Sequence, residues 1–303
     1  WRVRFAPNQE GNWTATVKVI VNGIQTPQED LSFSFKCIEN SDSTNTVYKG
    51  YLEIGNDGKH LRYSGTQESF FAIGENIAVA KEWYNQNPGD YTILSNYMRQ
   101  LSDSGGNFFR LWMTPYSMSF EREKLGNYAN DFLIGRAYPV YDTSGNHLYD
   151  VTTDTFRINR QMNAWELDQI FNYAKEKNLY IMLTLESQGY QDVIKMNGDS
   201  VYDGNWNNND WNRNPYKTSL GLTRTYEFFE DSLAKEFYKR KLRYFISRWG
   251  YSTNIAIIEF LNEMDQYFQY SQVSTTVYPY SGGTAPFFDN WHNDMGEYIH
   301  SNL

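Results

Sequence analysis

The run Ile255-Ala256-Ile257-Ile258-Glu259-Phe260-Leu261-Asn262-Glu263-Met264-Asp265 constrains this chain more than any other stretch. It opens as an apolar, β-branched segment of the length expected for a buried parallel strand. It then ends in an amide, a carboxylate and a second acid, with no turn residue between them. A carboxylate at the end of a buried strand is costly unless something there requires it. In parallel α/β folds the carboxyl ends of the strands are where ligands bind.

The rest of the chain supplies a sheet for this strand. From Phe70 onward a strand-loop-helix pattern repeats, which predicts a parallel sheet covered by helices. The first strand is read as Phe70–Ile73, with Gly74-Glu75-Asn76 at its carboxyl end. Its helix is expected to start at an Asp90 cap, bury Leu94, Tyr97, Met98 and Leu101, and stop at Gly105-Gly106. The second strand spans residues 107–113. The helix after it is expected to be capped by Asn163, with Glu166 completing a capping box, and to bury Trp165, Ile170, Phe171 and Ala174. The third strand is Tyr180–Leu185, ending in Glu186. Its helix runs from Asp231-Ser232 to Gly250, with Leu233, Phe237, Lys241, Tyr244, Phe245 and Trp249 on one side. The fourth strand is the opening run. A last helix, capped by Asp289, turns Trp291, Met295, Tyr298 and Ile299 inward.

Four βα units make half of a (β/α)8 TIM barrel. The predicted class is therefore α/β, with the first four units of the barrel in residues 70–303. Residues 1–50 read as a partial β-sandwich, with strands at Val3–Phe5, Thr14–Val21 and Leu31–Cys37, and residues 51–69 as a connecting hairpin. So few strands cannot close a sandwich, and a half barrel exposes two strand edges. The 303 residues thus read as part of a longer polypeptide whose remainder completes the barrel.

Composition narrows the partners. A net charge of −9 and a pI near 5.0 argue against nucleic acid and anionic membrane surfaces. Cys37 is the one cysteine, and His60, His147, His292 and His300 are scattered without ligand spacing, so no metal is expected. No apolar run approaches the ~20 residues of a membrane-spanning helix. Aromatic residues make up 17% of the chain, with 25 Tyr and 9 Trp. Together with abundant Asn and Gly, this suits a protein that stacks rings on sugars.

Glu75, Arg110, Glu186, Asn262 and Glu263 all fall at the carboxyl rim of the expected sheet. The loop after strand three, about forty residues by these boundaries, carries Tyr202, Trp206, Trp211 and Tyr216, and loops of such length are usually functional or disordered. Hydrolysis of a glycosidic bond with retention needs two carboxyl groups about 5–5.5 Å apart. In that chemistry Glu263 is the acid/base, Asn262 binds the sugar hydroxyl next to the reacting carbon, and Arg110 keeps the nucleophile ionised. Trp112 follows Arg110 by two residues and faces the same way, flooring the cleft or packing in the barrel mouth. Glu75, Asn76, Trp112, Glu186, Trp206, Trp211 and Tyr216 are the candidate substrate contacts; the loop rings either stack on sugar or pin the loop. Glu259 and Asp265 read as structural.

Asn262-Glu263 after an apolar fourth strand resembles the acid/base motif of clan A glycoside hydrolases, the cellulase and mannanase type of family five. Asn107-Phe108-Phe109-Arg110 resembles the second-strand segment whose arginine neighbours the nucleophile in that group. Residues 211–216 (Trp-Asn-Arg-Asn-Pro-Tyr), Phe228-Phe229, residues 238–244 and residues 248–251 resemble a bacterial branch with a β-sandwich before the barrel. Residues 1–7 and 10–13 resemble the second half of that sandwich. The resemblance implies a retaining hydrolase of β-glycans that needs no cofactor and works outside the cell, in the periplasm or on the cell surface. It also implies a nucleophilic glutamate at the end of a seventh strand, which has no counterpart here, so the chain alone is expected to be inactive. Glu186-Ser187-Gln188 departs from the histidine usual near the third strand's end. Two other readings stay open: a non-catalytic glycan-binding or assembly protein on a degenerate barrel, and a sandwich that is itself the functional module.

Overall fold

A computed structural model describes residues 4–7, 9–18, 20–21, 24–25, 31–39, 49–77, 92–113, 155–186, 216, 220–222, 227–262 and 286–302. Near the amino terminus, β1 (Gly11–Val17) and β4 (Leu31–Cys37) form an antiparallel ribbon, and β2 (Ile20–Val21) pairs with β3 (Ile24–Gln25). The expected strand at Thr14–Val21 therefore starts earlier and breaks after Val17, while residues 4–7 carry no strand. The ribbon's register puts Trp13, Ala15 and Val17 beside Phe35, Phe33 and Leu31 on one face. On the other face Thr14 bonds Ser34 and Thr16 bonds Ser32, each at 3.0 Å. Strict alternation of this kind marks a sheet with one face meant for burial. Among the described residues no second sheet covers that face, and Leu31 and Phe33 are largely exposed.

The central sheet is parallel, in the order β11–β10–β9–β8, with β8 at Gly74–Asn76, β9 at Phe108–Trp112, β10 at Tyr180–Thr184 and β11 at Ile255–Glu259. Helices follow in alternation: α1 (Thr92–Asp103), α2 (Thr155–Glu176), α3 (Glu227–Glu230), α4 (Ser232–Trp249) and α5 (Pro286–Asn302). Sequential parallel order with intervening helices is the barrel pattern that the sequence implies.

The first barrel strand begins later than expected. Ser69–Phe70 forms β7, which pairs antiparallel with β6 (Leu61–Tyr63), itself paired with β5 (Leu52–Ile54). Phe70 is drawn into this small sheet because its ring packs on Tyr63 and Tyr180, at 5.6 and 5.0 Å between centroids. The Asn107 side chain bridges the chain between β7 and β8, accepting from Ile73 N at 2.8 Å and donating to Phe71 O at 2.9 Å.

Alternation along the parallel strands separates two cores. Phe109, Leu111, Ile181, Leu183 and Leu185 join Leu94, Met98, Ile170, Phe171, Leu242, Phe245 and Trp249 in the layer between sheet and helices. On the opposite, inner face, Phe108, Tyr180 and Ala256 meet Leu52, Leu61, Tyr63 and Phe70 of the small sheet. The β5–β7 sheet thus plugs the amino end of the inner face and leaves the carboxyl end to polar residues. Burial pushes the Tyr180 and Tyr63 phenols up.

Several expected helix details are corrected. Helix α2 starts at Thr155, so Asn163 lies inside the helix and not at its amino-terminal cap position. Likewise α5 starts at Pro286, a favoured first helical residue, and Asp289 sits in its first turn. Tyr97, Trp165 and Leu233 are exposed rather than inward. Each sits one position from a buried stripe member, Met98, Ala164 and Ala234, and one residue turns a side chain by about 100° around a helix. The Asp231 cap stands as read: its side chain accepts from Ala234 N at 2.8 Å. Asp90 lies outside the described residues.

Asp168, buried on α2, ties distant parts of the chain together. It accepts from Trp249 Nε1 at 2.9 Å, from Arg248 Nη2 at 2.8 Å and from Arg4 Nη1 at 3.4 Å. Asp168→Ala strands a buried indole N–H and a guanidinium, so it should destabilise the fold by about 2–4 kcal/mol in urea unfolding. Arg4→Ala should cost under about 1 kcal/mol, because Arg4 contributes a long, partly solvated contact.

Candidate functional site

The inner face beyond the aromatic plug carries the polar residues. The register aligns Phe108, Arg110 and Trp112 on β9 with Tyr180, Met182 and Thr184 on β10. On β11, Ile257 pairs with Met182 and Glu259 with Thr184, after a register shift between Ile181 and Met182. One face of three strands thus reads aromatic at the amino end, mixed in the middle and polar at the carboxyl end.

Arg110 reaches diagonally across β10 to Glu259. Its Nε donates to Oε2 at 2.9 Å, and its Nη2 donates to Oε1 and Oε2 at 2.7 and 2.6 Å. Nη2 also donates to Asn262 Oδ1 at 2.5 Å. Beneath the pair, Thr184 Oγ1 donates to Glu259 Oε2. The guanidinium lies over the Trp112 ring, 5.3 Å from its centroid. Both charged side chains are about one-fifth exposed, so the pair is only partly screened by water. Arg110 Nη1 makes no hydrogen bond among the described residues, and the buried Trp112 Nε1 has no partner there.

Backbone bonds fix this cluster to the strand ends. Met113 N donates to Thr184 O at 2.9 Å, Leu185 N to Glu259 O at 2.8 Å and Asn262 N to Glu186 O at 2.9 Å. The Tyr238 hydroxyl on α4 donates to Phe260 O at 2.8 Å, steering the chain as it leaves β11. Asn262 is fully buried and immediately precedes Glu263 in the chain.

Arg110, Trp112 and Asn262 therefore come together as their spacing predicts. Glu259, read from sequence as structural, is the acid that Arg110 holds. The missed signal is a charge within an apolar strand, which demands a nearby countercharge, and Arg110 is the cation on the inner face of the described strands. Glu186 is at the strand end but faces away from the cluster. Its carboxylate is paired with Lys241 of α4, both side chains nearly inaccessible, and Lys241 Nζ also donates to Leu185 O at 2.9 Å. Tyr216 is a core residue, 1% exposed, with its ring 4.7 Å from Phe228 edge-on, so neither of its faces is open to a sugar. Asn76 pairs with Arg110 in the register and is exposed. Glu75 pairs with Phe109 and so shares the helix-facing side. Glu263, Trp206 and Trp211 lie outside the described residues.

Among the described residues no group of three or more His, Cys, Asp or Glu is arranged to hold a metal, and no helix is long and apolar enough to cross a membrane. The buried Lys241–Glu186 pair makes a separate prediction. Lys241→Met leaves a buried carboxylate without its countercharge and should cost about 3–5 kcal/mol in chemical denaturation. Adding Glu186→Gln should recover part of that loss, because the uncompensated charge is then gone.

No protein-family model matches the chain, and no curated protein matches it. Solved structures do. The chain is similar to a candidate glycoside hydrolase from Bacteroides vulgatus ATCC 8482, with 14% identity and a TM-score of 0.52 over 98% of this chain and 44% of that one. It is also similar to the endo-1,4-beta-mannanase from Rhizomucor miehei, with 14% identity and a TM-score of 0.47 over 83% of this chain and 58% of that one. The chain thus spans roughly half the length of these two structures. The likeness shows the fold alone: α/β of the (β/α)8-barrel type, with four parallel strands among the described residues.

Proposed function

We propose that these residues are the acid-bearing half of a retaining β-glycoside hydrolase. The observation that carries this reading is the Arg110–Glu259–Asn262 cluster on the inner face, at the carboxyl ends of β9 and β11. Barrel enzymes place their chemistry at that end, and the cluster stands one residue before Glu263.

In this mechanism Glu263 protonates the leaving oxygen and later takes a proton from the incoming water. Asn262 holds the hydroxyl next to the reacting carbon, where a hydrogen bond strengthens as the transition state forms. The nucleophilic carboxylate comes from elsewhere in the polypeptide, and Arg110 Nη1, which makes no hydrogen bond among the described residues, is the donor assigned to it. A guanidinium within about 4–6 Å of a carboxylate holds it ionised, as an attacking group must be. Trp112, packed on Arg110, floors the cleft. The substrate is a β-linked glycan, and polymers of that kind are met outside the cytoplasm.

The test is Glu263→Gln in the full-length polypeptide. Turnover of an unactivated β-glycan should fall by at least about 1,000-fold while the glycan still binds, because proton donation is lost and contact area is not. Turnover near that of the wild type rules the role out. A wild-type polypeptide that binds glycans but cleaves none points instead to a non-catalytic barrel.

A further inference from the structure

A side-chain amide offers an oxygen that accepts and a nitrogen that donates, and the two are close in shape. A guanidinium only donates. Because Arg110 Nη2 sits 2.5 Å from Asn262 Oδ1, the amide oxygen must face Arg110, which turns the amide nitrogen away from it. The orientation of Asn262 is therefore set by the position of Arg110.

Arg110 in turn is set by Glu259. The carboxylate takes Nε and Nη2 together, a forked geometry that fixes the plane of the guanidinium as well as its distance. Thr184 Oγ1, donating to Oε2, holds the carboxylate from below. Trp112 covers the guanidinium face. The chain of contacts runs Thr184, Glu259, Arg110, Asn262, and each link has its donor and acceptor roles dictated by the one before.

Resting on the hydrolase reading, we propose that Glu259 is a positioning residue. It acts through Arg110 to present the Asn262 amide nitrogen, as donor, to the sugar hydroxyl next to the reacting carbon. Glu259 itself touches neither substrate nor the reacting atoms. Its loss should be felt most by substrates that carry that hydroxyl, with a smaller effect on all substrates because Arg110 also supports the nucleophile.

The experiment uses the full-length polypeptide and two probes. One is the 4-nitrophenyl glycoside cleaved fastest among β-glucoside, β-mannoside and β-galactoside; the other is its 2-deoxy counterpart. Glu259→Gln should lower kcat/KM on the first by about 10- to 100-fold and on the second by a factor at least about fivefold smaller. The double variant Glu259→Gln/Asn262→Ala should be slower than Asn262→Ala by much less than the drop that Glu259→Gln causes alone, because residues acting in series are not additive. Thr184→Val, which keeps the side-chain shape and removes one hydrogen bond, should show the same selectivity with a smaller drop. It carries the test if Glu259→Gln does not fold. Equal losses on both glycosides, or additive losses in the double variant, overturn the positioning role while leaving the hydrolase reading intact. Absence of cleavage by the wild type overturns both.

Discussion

The ion pair between Arg110 and Glu259 depends on three strands being in register at once. Arg110 is on β9, Glu259 on β11, and the contact crosses β10 above Thr184. A slip of one residue in any strand would turn its inner side chains to the helix layer. The register shift between Ile181 and Met182 brings Glu259 opposite Thr184, and so within reach of the guanidinium. A charged group on the inner face of a barrel is tolerable only when paired and hydrogen-bonded. Each member of this cluster meets that condition through the others, which makes strand register and site geometry a single constraint.

The apolar parts of the fold set the stage for that constraint. The β5–β7 sheet closes the amino end of the inner face with Tyr63 and Phe70 on Tyr180. Polar groups are thereby confined to the carboxyl end, where the loops that follow the strands emerge. On the outer side, α4 holds the ends of β10 and β11 from behind, through Lys241 on Leu185 and Glu186 and through Tyr238 on Phe260. Asp168 then locks α2 to the end of α4 and to Arg4. Buried polar groups thus hold the rim from both sides of the sheet.

Much of this was legible from residue order. The parallel sheet, its four strands and the meeting of Arg110, Trp112 and Asn262 follow from alternation and from the strand-end position of each residue. The boundaries that moved did so for tertiary reasons: Phe70 joined the plug because two aromatic neighbours drew it there, and α2 extended past its apparent cap. Glu186 and Tyr216 stood where a rim or loop contact would stand, yet their partners, Lys241 and Phe228, lie on helices distant in sequence. Local pattern carries no sign of such pairings. Glu259 is less legible, because a single acid in an apolar strand looks structural and its cation is two strands away.

The reaction proposed for this cluster is a displacement with retention at the sugar carbon. It is tested most directly by following the full-length polypeptide on a β-linked oligosaccharide by proton NMR during the first turnovers, before the product mutarotates. Retention requires that the β-anomer forms first. First formation of the α-anomer, or no cleavage, would contradict it.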